Sequence, residues 1–290
     1  MTIQRTLHTT LVLLAAALGA DAAGAVDAVE KSYQQHCASC HGADRLGSMG
    51  PAMLPENLSR LRRDMAHKTI SDGRAASQMP AFGDTLDENA IQALVDYIYT
   101  PLPTIPTWDI AAINASRVIH VDPADLPNKP VYDADPLNLF LVVELGDHHA
   151  TVLDGDSFEP LHRFATPFAL HGGPKYSPDG RYVYMASRDG WIRKFDMFNL
   201  KIVGDIRAGI NTRNLAISDD GNTLMVGNYL PHNVVILDAN ELTPLRIIET
   251  RDDHGTSSRV SAVYTAPPRG SFIVALKDIP EVWEIPYRNN

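Results

Sequence analysis

An apolar residue followed by aspartate recurs at Leu153-Asp154, Phe195-Asp196 and Leu237-Asp238, 42 residues apart each time. A second landmark keeps nearly the same period: Ser-Pro-Asp-Gly at 177–180 and Ser-Asp-Asp-Gly at 218–221. After each of these turns come a strand-like run ("RYVYMAS", "NTLMVGN"), a turn, a strand ending in the aspartate, and a further strand ("IVGDIRA", "LRIIET"). Short apolar runs broken by Asp-Gly and Asn turns specify an all-β array. Four strands per 40–50 residues is the pattern of a β-propeller, in which each blade buries its faces against its neighbours. A β-sandwich with coincidental spacing is the alternative. Glu284 in "EVWEI", 46 residues beyond Asp238, is the expected fourth copy, with a longer loop around "RDDHGTSSR".

Residues 131–290 hold about four such repeats. The stretch is expected either as a four-bladed ring or, preferably, as part of a longer propeller, because a half ring leaves strand edges open to foreign pairing.

The first third has a different texture. Both cysteines of the chain lie in "HCASCHGADR", as Cys37-Ala-Ser-Cys40-His41. A disulfide, a redox dithiol and covalent haem attachment compete for this motif. Structural disulfides usually join residues distant in sequence, and a redox dithiol has no use for His41. Two thiols two residues apart on a helical turn match the two vinyl groups of one haem, and the next imidazole then projects towards the iron, so C-x-x-C-H favours haem.

The start of the chain agrees. Arg5, an apolar run from Leu11 to Leu18 and small residues up to Ala23 or Ala25 have the form of a secretory leader, with an uncleaved anchor as the alternative. The run is shorter than the roughly 20 residues a membrane helix needs. The expectation is export to the periplasm and no membrane span after removal of residues 1–25. A net charge of −10 argues against nucleic acid as a partner.

Around the motif, Val26, Val29 and Tyr33 fall near helical spacing. Downstream, Thr85 or Asp87 can cap a helix whose stripe is Ile91, Leu94, Val95 and Ile98. Together these features resemble a class I cytochrome c: a first helix, the C-x-x-C-H turn, a methionine loop and a last helix crossing the first. That resemblance places the sixth iron ligand at Met79 in "QMPAF"; Met49, Met53 and Met65 are expected as packing residues, and His67 as a surface histidine. "TPLPTIPTW" is Pro-rich and opens a linker. The expected organisation is an α + β multidomain chain: leader 1–25, all-α cytochrome c domain 26–104, linker 105–130 and partial all-β propeller 131–290.

A C-x-x-C-H domain followed by this repeat resembles the haem d1 proteins, the cd1-type nitrite reductases and their biosynthetic relatives, in which a cytochrome c domain precedes an eight-bladed propeller. The stretches "FALHGGPKYSPDGRYVYMASRDGWIRKFD", "AGINTRNLAISDDG" and "VGNYLPHNVVILD" are most similar to the biosynthetic branch. The resemblance implies one covalent haem c on Cys37, Cys40 and His41, and haem d1 or its dihydro precursor bound without a covalent bond. It implies dehydrogenation of a propionate of dihydro-haem d1 to an acrylate, with electrons passed to haem c and on to a periplasmic partner. Nitrite reduction to nitric oxide and non-catalytic haem d1 carriage are the alternatives, and other haem d1 proteins, the nitrite reductase included, are the implied partners.

By the same resemblance His171 in "FALHGGP" is an iron ligand or a base, and Arg213 contacts macrocycle carboxylates. Tyr229 lines the same pocket, and Lys175 stands near a family arginine. Where the reductases have a basic residue this chain has Leu145, with His148 and His149 following, and His149 is a second candidate for catalysis. On the residues alone, His171 reads first as a structural hydrogen bonder, Arg213 equally as a partner for a strand-end aspartate, and "SRDGW" as a blade turn rather than a site. His148 and His149 are expected to alternate on a strand.

Overall fold

The computed structural model describes residues 26–75, 77–104 and 107–288. The expected leader, 1–25, lies outside the described residues. Among the described residues no helix is long and apolar enough to cross a membrane.

The N-terminal part is helical, with a helix over 26–36, single turns at Ala38–His41 and Pro55–Leu58, and longer helices at Arg63–Asp72 and Glu88–Ile98. Asp87 caps the last by accepting the Ala90 amide at 2.8 Å. Ile91, Leu94, Val95 and Ile98 all turn inward, as their stripe predicts, and pack with fully buried Tyr33. The Tyr33 and Tyr97 rings, 5.4 Å apart, join the first and last helices. Val26 departs from the expected stripe: it is 57 % exposed, and the buried face of the first helix starts at Val29.

Four antiparallel sheets follow. The first holds Leu139–Glu144, His149–Asp154 and Pro160–Ala165. The second holds Lys175–Tyr176, Tyr182–Ala186, Trp191–Asp196 and Lys201–Arg207, with Val118–Ile119 added at its outer edge. The third runs Asn211–Ile217, Thr223–Leu230, Asn233–Asp238 and Pro244–Glu249, and the fourth Val260–Ala266, Ser271–Leu276 and Val282–Pro286.

Alternation along single strands makes each sheet two-faced. Leu224 and Val226 pack with Tyr184 and Ile192 of the second sheet, whereas Met225 between them packs with Val260 and Val274 of the fourth. Ala150, Val152 and Phe164 meet Val183 and Phe195 in the same way. Sheets stacked face to face in chain order are propeller blades.

The 42-residue period has a local cause. Asp196 accepts the amides of Phe198 and Asn199, Asp238 those of Asn240 and Glu241, and Asp154 that of Asp156, so each aspartate closes the turn into the outer strand. Ser177 and Ser218 each take the amide five residues on, at 2.9 Å, and their Oγ groups lie 2.5 Å from Asp179 and Asp220. Glu284 is not the fourth copy. It sits inside the strand Val282–Pro286, opposite Ile273, and pairs with Arg269 at 2.6 Å.

Residues beyond the last cytochrome helix fold against the second blade. Asp109 caps Ile110–Ala115, and Ile113 is fully buried between the second and third blades. Val118 and Ile119 then pair with Asp205 and Gly204.

Candidate functional site

Neighbouring strands alternate in direction, so the blade-to-blade connections 166–174, 208–210 and 250–259 emerge at one end of the propeller. The turns 145–148, 187–190, 231–232 and 277–281 emerge at the same end. A cationic cluster forms there. His171 Nδ1 lies 2.7 Å from both the Arg213 carbonyl and the Arg213 guanidinium. Nε2 faces two guanidinium groups, Arg188 at 3.2 Å and Arg213 at 3.1 Å. Burial, and then the charges of Arg188, Arg213 and Arg60, hold His171 below the usual histidine range despite its hydrogen bond to the Arg213 carbonyl.

Arg188 also reaches the Tyr229 ring, 5.9 Å to the centroid, beside Arg259 at 5.5 Å and Lys277 at 5.2 Å. Lys277 Nζ donates to the Tyr229 hydroxyl at 3.2 Å. Burial alone would raise that phenol; the Lys277 hydrogen bond and charge, with Arg213 and Arg188, outweigh it and hold the group below its ordinary value. Only Arg259 of these cations has an acidic partner within 4 Å among the described residues: Asp278. The Arg259 hydrogen bonds hold Asp278 down at about 2. Arg213 does not pair with a strand-end aspartate.

His171, Arg213 and Tyr229 are therefore brought together. Lys175 turns onto its own loop and donates to the carbonyls of Gly172 at 3.0 Å and Gly173 at 3.2 Å. The glycine at 172 answers to the neighbouring strand: at φ 86° a Cβ would stand 2.3 Å from Asn214 Cβ. His149 belongs to a different set of contacts, with Nδ1 2.9 Å from the Asp147 carbonyl and 3.4 Å from its carboxylate. His148 does not alternate with it on a strand. It lies in the preceding turn at φ 59°, edge-on to Phe168, with a buried Nδ1 that has no partner among the described residues.

Cys37 is the N-cap of the single turn Ala38–His41 and Cys40 lies within it, both as free thiols. Burial, and then Cys40, raise the Cys37 thiol to about 11. His41 Nδ1 donates to the Pro51 carbonyl at 2.8 Å, which leaves Nε2 with its lone pair outward. Burial lowers the His41 pKa, against the hydrogen bond to Pro51, and so favours the metal-binding form of the ring. Gly50 lies against that ring: a Cβ there would come within 2.8 Å of His41 Cε1. Two free thiols and an oriented imidazole fit a covalent haem.

Met79 and Met53 are partly buried against the cytochrome core. Met49 and Met65, expected as packing residues, are 49 % and 41 % exposed, because neither faces the buried stripe. His67 lies 3.4 Å from Glu88.

The loop after the haem motif rests on the cationic end of the propeller. Ala52 and Leu54 form one buried cluster with Ile210 and Leu230. The charge of Arg60 reaches both His171 and Arg188. Arg188, Lys277 and Arg259 escape motif reading. "SRDGW" is a blade turn as well as a site, and counting strands from His171 shows that both emerge at the same end.

Residues 134–290 match the family described as Cytochrome D1 heme domain, and residues 24–98 that described as Cytochrome C oxidase, cbb3-type, subunit III. The chain is 58 % identical over 260 residues to the dihydro-heme d1 dehydrogenase of Pseudomonas aeruginosa, covering 90 % of this chain and 53 % of that one. It is 26 % identical over 300 residues to the nitrite reductase of Stutzerimonas stutzeri, covering 93 % and 51 %. A solved structure of dihydro-heme d1 dehydrogenase NirN in complex with DHE matches with a TM-score of 0.85 at 58 % identity, over 90 % of this chain and 56 % of that one. The chain spans about half the length of the relatives it matches.

Proposed function

Because the chain belongs to the Cytochrome D1 heme domain family, we propose that it is the electron-accepting part of a periplasmic dehydrogenase of dihydro-haem d1. In this reading a propionate side chain of the substrate loses two hydrogens and becomes an acrylate, releasing two electrons and two protons. The observation that carries it is the cationic cluster directly below the haem-binding loop. A tetrapyrrole with several carboxylates needs several cations without acids of their own. Arg188, Arg213 and Lys277 have none within 4 Å among the described residues. Arg213 and Lys277 hold carboxylates, and Arg188 orients His171. His171 takes up a proton. Cys37, Cys40, His41 and Met79 would hold haem c, which would supply one-electron acceptance. Lys175 and His149 serve the macrocycle through the loops they brace. Residues 1–25 direct export, and a periplasmic redox protein, such as a haem d1 nitrite reductase or its assembly partners, meets the exposed side of the cytochrome domain.

The test mixes oxidised protein, carrying haem c by pyridine haemochrome assay, with dihydro-haem d1 under anaerobic conditions. Reduction of haem c together with the spectrum of the acrylate product supports the reading. Tight binding without reduction supports carriage instead, and nitric oxide from nitrite supports the reductase.

A further inference from the structure

Arg207 ends the outer strand of the second blade and is 9 % exposed. Its Nε donates to the Asp189 carbonyl at 2.8 Å and its Nη2 to the Leu46 carbonyl at 2.5 Å. Its guanidinium covers the Trp108 ring, 4.9 Å from the centroid, and Trp108 Nε1 donates back to the Arg207 carbonyl at 2.7 Å. One side chain therefore ties together a blade turn, the segment after the cytochrome domain and the loop after the haem motif. Its counter-charge is Asp189, which is 2 % exposed; one carboxylate oxygen bonds Ser187 and the other has no partner among the described residues.

The clamped loop is the one that shapes the iron ligand. Gly47, next to Leu46, donates its amide to the His41 carbonyl at 2.9 Å. Pro51 accepts from the His41 ring, and Ala52 and Leu54 then meet Ile210 and Leu230. The Ile210 amide donates to the Leu230 carbonyl at 2.9 Å, and Tyr229 is the next residue. An unbroken series of hydrogen bonds, covalent bonds and packed atoms links the haem-binding imidazole to the cationic cluster.

We propose that Arg207 is a positioning residue for electron transfer: by clamping Leu46 it holds this series closed and fixes the hydrogen bond on His41. The inference rests on the reading of the chain as an electron-passing haem protein. Leu46 packs against the cluster of Ala52, Leu54, Ile210 and Leu230, so its release opens a gap in the series, and electron tunnelling weakens steeply with each added ångström. It also loosens the bond to Pro51, which makes the imidazole a poorer donor and raises the haem potential.

The experiment compares Arg207→Met and Arg207→Lys with the unsubstituted protein carrying haem c. Arg207→Met keeps the volume and drops both hydrogen bonds. The expected result is a higher haem c midpoint potential, unchanged affinity for dihydro-haem d1, and single-turnover haem c reduction slowed by about tenfold or more. Arg207→Lys keeps the charge but reaches one carbonyl, so its rate and potential fall between; it carries the test alone if the methionine variant does not fold. A normal haem spectrum with unchanged potential and rate in the folded variants overturns this proposal only. Absence of covalent haem from the unsubstituted protein overturns the functional reading and this one together.

Discussion

The ammonium of Lys277 lies 3.2 Å from the phenol oxygen of Tyr229, two residues from different blades joined at the end of the propeller that faces the cytochrome domain. Burial acts on Tyr229 in the opposite direction to this bond and charge. Replacing Lys277 by methionine removes the largest opposing influence, leaving only the charges of Arg213 and Arg188, so the Tyr229 pKa rises. The check is an ultraviolet titration of phenolate, with Tyr229→Phe identifying the band; a pKa that stays or falls contradicts the assigned cause.

Gly50→Ala tests the seat of the iron ligand. The added Cβ meets His41 Cε1 at 2.8 Å and Nδ1 at 2.9 Å, and Gly50 has no left-handed backbone to add strain. Overpacking of this kind costs about 1–3 kcal/mol. The expected outcome is a lower ratio of covalent haem to polypeptide and an altered ferric spectrum, measured by haemochrome assay and absorbance.

Asp189 titrates the joint between the two parts. Burial raises its carboxyl from 3.8 to about 6, with Ser187 and Arg207 acting in the other direction. The folded state then binds more protons than the unfolded state between pH 3.8 and about 6. Its contribution is present below 3.8 and is lost as the pH rises through about 6, for a total of about 3 kcal/mol at about 1.4 kcal/mol per pKa unit. Asp189→Asn has no such loss. The denaturation midpoint of the variant should gain on that of the unsubstituted protein as the pH goes from 4 to 7; parallel curves would contradict it.

Met79 and Met53 both border the cytochrome core, and the two differ in what they predict. With Met79 as sixth ligand, Met79→Leu lowers the midpoint potential and converts the ferric haem to a high-spin spectrum, because a thioether favours the ferrous state. Met53→Leu leaves both unchanged. The reverse pattern moves the ligand to Met53.

Features with one-dimensional causes are legible in the sequence. Asp87 and the stripe from Ile91 to Ile98 follow from capping and a 3.6-residue period, and Asp154, Asp196 and Asp238 recur because each blade needs the same turn closed. Glu284 imitates that spacing but faces Arg269, since charge at a strand position is common and a turn-closing geometry is not encoded by the residue alone. The cluster around His171 was only half visible. Arg188 is 17 positions away and Lys277 over a hundred, and their convergence depends on which end of a blade each turn leaves. Val26 and Met65 show the same limit from the other side: an apolar residue on a helix need not lie on the face that meets a neighbour.

Trp108 is seated under Arg207, and the last cytochrome helix ends at Ile98, ten positions earlier. Fully extended, that stretch reaches no more than about 35 Å. A haem domain on so short a leash has a local concentration on the order of millimolar at its berth. Even a modest contact is then re-formed almost as soon as it breaks, and dilution cannot part the two halves.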